Sequence, residues 1–365
     1  MIYILYGVVI LVNLFANTKR KNNILILLLS VGVFSLIWAG NIAGPDIENY
    51  LTQYKYPTSR LTSGGIEIVY NYLIYIFSTK NVDFYVFRFI ISFVSLTAIF
   101  LFSTKIEANP HKLLIFYALS QFFLDGVQIR NFLALPFFVL AGVTLIKGER
   151  RWKIKFACLI LIASLIHVSF LIYLIFLLVP EKDLSYKRLI KIHGAVAVIL
   201  CVVFFFEKQY LGIIIDLISS IDLTRATNYS QVSTKMGSLI IVLLQLAGIG
   251  VSYFSYHKIQ KLNDTNGNMD CLERRLHRIL WINILAIYLL PFSMIQLTFY
   301  RLIRNLILFN FSSVLISIRY YPRKFRYKFW IVLFVYLLLW QISEFCILNQ
   351  FEVIVEPFFF FNKYF

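Results

Sequence analysis

Residues 147–191 read KGERRWKIKFACLILIASLIHVSFLIYLIFLLVPEKDLSYKRLIK, an apolar run at 156–179 with basic residues crowded at both ends. The run is long enough to cross ~30 Å of hydrocarbon, which takes roughly 20 apolar residues. A single crossing would put either Arg150, Arg151, Lys153 and Lys155 or Lys187, Arg188 and Lys191 outside the cell. Membranes orient proteins by keeping Lys/Arg-rich loops cytoplasmic. The sequence therefore predicts a re-entrant hairpin of two half-helices, with its tip near His167. Non-helical backbone at that depth is tolerated only where protein or water surrounds it.

The same rule orders the rest of the chain. Of the 35 lysines and arginines, 24 fall in six short loops: 17–23, 104–112, 147–155, 181–191, 256–278 and 319–328. Ten stretches read as full spans: 3–17, 23–40, 82–103, 111–124, 129–146, 190–206, 238–255, 278–299, 302–318 and 329–348. Residues 66–79 are too short for an upright crossing and read as a re-entrant or interfacial helix within an outer segment at 40–80. With every basic loop inside, both termini are outside. A second outer loop at 207–237 mixes Leu211–Ile218 with polar residues and suits a helix lying on the membrane surface. The expected fold is a single all-α polytopic membrane domain over residues 1–365. The tail Pro357-Phe358-Phe359-Phe360-Phe361 reads as an interfacial aromatic belt.

Composition excludes several classes. With 60% hydrophobic and 15% charged residues and a mean hydropathy of +0.77, the chain is no soluble domain. The net charge of +17 follows from the cytoplasmic loops and does not indicate nucleic acid. Cys158, Cys201, Cys271 and Cys346 have no metal-site or disulfide-framework spacing, so no metal is expected. Walker, GxGxxG and HExxH patterns are absent, and no cofactor is expected.

The chemistry-bearing residues gather on the predicted outer side. The first outer loop carries Asp46, Glu48, Tyr50, Tyr54, Tyr56 and then Glu67. Carboxylates among tyrosines suit a sugar, whose ring faces stack on aromatics while hydroxyls meet the carboxylates, but an ordinary solvated loop has the same composition. The turn Asp125-Gly126-Val127-Gln128-Ile129-Arg130 separates two apolar stretches. Arg130 there either snorkels to headgroups, paired with Asp125, or serves a site. His167 alone among the histidines lies inside an apolar run and can exchange a proton near neutral pH. It reads equally as a packing residue. Arg301 and Arg304, three apart, face one side of a helix. Paired guanidiniums suit a diphosphate because each planar fork donates two hydrogen bonds.

In order and setting these pieces resemble the EpsG/Wzy-type polysaccharide polymerases of bacterial inner membranes. The resemblance rests on Gly44, Asp46 and Tyr50; Glu67 and Tyr70; Arg130, Asn131 and Ala134; Ala163, His167 and Ser169; and Arg301. It covers most of 40–175 and the 295–310 region, with Asn131 where typical members carry Gln. It implies a glycosyltransferase-C-like fold and polymerisation of O-antigen or exopolysaccharide repeat units on undecaprenyl diphosphate at the periplasmic face. A flippase and a chain-length regulator are the implied partners. Arg130, Arg301 and Arg304 would hold the diphosphate, and His167 or Asp46 would take the acceptor proton. Glu48, Glu67, Asp125 and Tyr50 would bind the acceptor sugar. A ligase-like transferase and a transporter of lipid-linked oligosaccharide are the alternatives.

Overall fold

The structure is a computed structural model, and it describes residues 2–16, 22–58, 67–180, 194–195, 235–266, 269–295, 297–347 and 351–364. Among these residues every regular element is a helix, and the sole β pairing is an isolated antiparallel bridge between Asn41 and Asn362. Seven described helices are long and apolar enough to cross a membrane: Asn23–Gly40, Phe84–Thr104, Ile129–Lys147, Leu239–Asp264, Asp270–Ser293, Arg301–Tyr320 and Arg323–Phe345. The expected span at 3–17 is the shorter helix Ile2–Phe15. The expected span at 111–124 is broken at Gln121, between helices Pro110–Ser120 and Phe122–Val127. Apart from residues 194–195 and 235–237, the stretch 190–206 and the 207–237 loop lie outside the described residues.

The chain divides into two compact units. Unit 1 holds residues 1–171, 318–326 and 337–365. Its helices are α1 (Ile2–Phe15), α2 (Asn22–Gly40), α3 (Ile47–Lys55), α4 (Ile68–Thr79), α5 (Phe84–Thr104), α6 (Pro110–Ser120), α7 (Phe122–Val127), α8 (Ile129–Lys147) and α9 (Trp152–Ile166). Local sequence sets several of these boundaries. Asp83 caps α5 by accepting from the amides of Tyr85 and Val86. Asn109 caps α6 ahead of Pro110, whose missing N–H costs nothing in a first turn. Gly148, at φ 61°, ends α8 in the left-handed conformation that glycine adopts without strain.

Packing in unit 1 sets α5 against α2 and α8, and α9 against α8 and α4. Apolar burial gives little drive between helices in lipid, so side-chain hydrogen bonds help fix the neighbours. Tyr6 donates to the Ala118 carbonyl at 2.6 Å. His111, near a basic loop and uninformative in the sequence, is buried and joins α6 to α1 through Asn13 at 2.7 Å. Asn13 in turn donates to Ser30 of α2 at 2.7 Å.

The C-terminal aromatics do not form a simple belt. Phe358 is buried against Phe122 and Phe123, while Phe360 and Phe361 are exposed. The tail satisfies the end of α2, with Lys363 N donating to Gly40 O at 2.7 Å and Asn362 Nδ2 to Ile37 O at 3.0 Å. Those carbonyls have no partner within their own helix.

Unit 2 holds residues 172–317 and 327–336. It is organised by α10 (Lys235–Asn266), α11 (Asp270–Leu285), α12 (Leu290–Ile295), α13 (Arg301–Arg304), most of α14 (Ile307–Tyr320) and the first part of α15 (Tyr327–Gln341). A neutral polar cluster ties them together. Asn283 Nδ2 donates to Asn310 Oδ1 at 2.7 Å and to Ser252 Oγ at 3.0 Å, and Asn310 Nδ2 donates to Tyr336 Oη at 2.8 Å. Gly248 leaves the necessary room, since a Cβ there would lie 2.8 Å from Asn310 Nδ2.

Candidate active site

Three breaks in the helical path bring Glu67, Arg130 and His167 of unit 1 together. Glu67 stands at the N-cap position of α4 and makes no side-chain cap bond, so its carboxylate is directed sideways. Arg130 follows the break at Gln128 (φ −93°, ψ 65°) that separates α7 from α8. His167 ends α9 in an extended conformation (φ −148°, ψ 110°), ahead of a 3-10 segment at Val168–Leu178. Arg130 Nη1 donates to Glu67 Oε2 at 2.6 Å, and His167 Nδ1 donates to Glu67 Oε1 at 2.6 Å. One carboxylate thus bridges a guanidinium and an imidazole.

The helix ends explain part of this arrangement. A carboxylate is stabilised at a helix N-terminus, whereas a cation there is not. Arg130 in the first turn of α8 therefore needs the compensation that Glu67 supplies. The side chains of Glu67 and His167 are 6% and 4% exposed, and that of Arg130 is 21% exposed. The histidine and carboxylate are buried, and the arginine keeps an open side. Two buried tyrosines wall it: the Arg130 guanidinium lies 5.6 Å from the Tyr50 ring centroid and 6.0 Å from that of Tyr70. The two rings meet edge to face at 6.2 Å.

The other sequence candidates are distributed as follows. Asp46 is half-buried at the N-cap position of α3, and Glu48 is exposed on the first turn of that helix. Asp125 is fully buried, accepts from Tyr117 Oη at 3.0 Å, and lines a cavity of about 10 Å³ with Trp38 and Arg88. In unit 2, Arg301 is half-buried and Arg304 fully buried. Arg304 Nη1 donates to Tyr300 Oη at 3.3 Å, and its guanidinium lies over that ring at 5.5 Å. Below them Tyr173 donates to Leu302 O at 2.9 Å and accepts from Asn305 Nδ2 at 3.0 Å.

Arg88 is the residue that sequence reading passed over. It lies inside α5, fully buried, and its Nη1 donates to Asn41 O at 2.6 Å. The available signal was an arginine one turn inside an apolar run on the side opposite the basic loops.

The sequence model of the EpsG family matches residues 24–360, nearly the whole chain and all of these positions. The chain belongs to the EpsG family. Neither a curated protein nor a solved structure matches it. Membership points to polysaccharide polymerisation, and with seven long apolar helices it makes this EpsG-family chain a multi-pass membrane protein.

Proposed function

We propose that the protein polymerises lipid-linked oligosaccharide repeat units on the outer face of a bacterial inner membrane. The observation that carries the reading is the Glu67 carboxylate held between Arg130 and His167, walled by Tyr50 and Tyr70. The donor is a growing glycan on undecaprenyl diphosphate, and the acceptor is a hydroxyl of the next unit. The hydroxyl oxygen bonds to the anomeric carbon of the donor as the bond from that carbon to the diphosphate oxygen breaks. The electron pair leaves with the lipid diphosphate.

The hydroxyl proton must go to a base within hydrogen-bond reach. His167 takes it on Nε2, because Nδ1 is engaged by Glu67, and Glu67 orients the ring and stabilises the charge it acquires. This assigns Glu67 to positioning rather than to direct contact with the acceptor. Asp46 is the second candidate base. Glu48, Tyr50 and Asp125 are the residues we assign to the acceptor sugar. Arg130 binds and neutralises the leaving diphosphate, a task that suits a planar fork better than a point charge. No metal or soluble cofactor enters the scheme. The full arrangement we favour has ten spans and a glycosyltransferase-C-like fold, with a flippase and a chain-length regulator as partners.

Incubating the purified protein with one defined lipid-linked repeat unit tests this directly. A ladder of glycan lengths with release of undecaprenyl diphosphate is the expected product. A single shifted band would indicate a ligase, and transport across liposomes without bond formation would remove the enzymatic reading.

A further inference from the structure

Arg88 carries a consequence for the site. A buried charge is costly unless it is well paired, yet the hydrogen bonds of Arg88 go to two backbone carbonyls. Nη1 donates to Asn41 O at 2.6 Å and Nη2 to Gly126 O at 3.4 Å. Asn41 directly follows the last residue of α2, and Gly126 lies in the last turn of α7. Helix C-termini carry partial negative charge on carbonyls that lack partners within the helix. One guanidinium therefore neutralises two such ends at once. Its ring contact with Phe84, at 5.8 Å, comes from its own helix and fixes its direction.

Both ends lead straight to the candidate site. Asn41 opens the segment that carries Asp46 and Tyr50, and Gly126 lies one turn ahead of Arg130. Gly126 is wedged, since a Cβ there would lie 2.7 Å from the Trp38 indole and 2.8 Å from Phe358. The Gly126 carbonyl thus has little freedom to move toward or away from α2.

We propose that Arg88 is a positioning residue of this site, a two-pronged clamp that holds the ends of α2 and α7 so that Tyr50 and Arg130 meet. The proposal rests on the reading of Arg130 as part of the active site. Lysine cannot replace the clamp, because one ammonium does not reproduce a planar fork spanning two carbonyls.

The test places 3-fluorotyrosine at position 50 in the full chain and compares the fluorine NMR resonance in wild type, Arg88→Lys and Arg130→Ala. The Arg88→Lys resonance is expected to move from the wild-type position toward that of Arg130→Ala. In the defined-substrate assay its kcat falls on the order of 10- to 100-fold, as ångström-scale misplacement does, with KM within about two-fold. An unmoved resonance, or a moved one with wild-type kcat, overturns the proposal. Arg88→Gln, read the same way, decides the matter should Arg88→Lys fail to fold. The two readings fail separately: a wild type that makes no polymer removes the proposed reaction, while the resonance still reports on the clamp.

Discussion

Two buried polar clusters, one in each unit, differ in chemistry and in the backbone that carries them. The Glu67 cluster is charged, sits where three helices begin or end, and keeps one member partly open beside two tyrosines. The Asn283 cluster is neutral, lies within helices rather than at their ends, and is closed by Tyr336 and Gly248. Amides that satisfy one another across helices hold a bundle together at modest cost. Charges confined at helix breaks are expensive, and losing one partner strands the others. Burial alone does not separate function from architecture. Charge, chain breaks and an open side are the grounds on which we propose the Glu67 cluster as the site.

The largest effect expected is on activity. His167→Ala should cut polymerisation on the order of 10²- to 10⁴-fold, the usual worth of a general base, while the protein stays folded and abundant. Asn283→Ala should leave turnover per folded molecule unchanged. A large activity loss in Asn283→Ala with none in His167→Ala would reverse the roles assigned to the two clusters.

Next comes stability. Gly248→Ala forces a methyl against Asn310 Nδ2 and Asn283 Oδ1, which would lie 2.8 and 3.1 Å from it. Overpacking of this kind costs roughly 1–3 kcal/mol. A lowered unfolding temperature with unchanged kcat is the expected pair of readings, and an unchanged temperature would show that the cluster yields.

The smallest effect belongs to an exposed ion pair, which serves as a control for both clusters. Glu149 accepts from Lys155 Nζ at 2.7 Å, and this bond outweighs partial burial to hold its carboxyl below the ordinary carboxylate range. Its contribution to stability is therefore present above that range and is lost as pH falls through the lowered folded value. Glu149→Gln should cost about 0.2–1 kcal/mol near neutral pH, with the difference from wild type disappearing under acid conditions. Thermal unfolding at two pH values measures it.

Much of the helical plan was legible in the sequence because an apolar run must be long enough to span hydrocarbon. Charge counts do not register where such a run breaks. Gln121 splits the 111–124 stretch with no proline or glycine beside it. The docking of Asn362 and Lys363 on the end of α2 joins residues over three hundred positions apart, beyond any local pattern. The candidate site was legible as a set of residue types and not as a set of partners. Of the two readings open for Arg130, the one that paired it used its near neighbour Asp125, whereas the carboxylate it holds is Glu67, from another helix. Arg88 escaped because buried carbonyls, which leave no mark in sequence, are what it serves.

The central claim is that Glu67 acts through His167. A double-mutant cycle on the defined-substrate assay addresses it, with Glu67→Gln, His167→Ala and the pair measured at single turnover. Groups that work as one unit lose activity non-additively. The expected result is that each single variant is severely impaired and the double variant is within a few-fold of the worse single. A double variant whose loss equals the product of the two single losses would show that they act independently and would contradict the account.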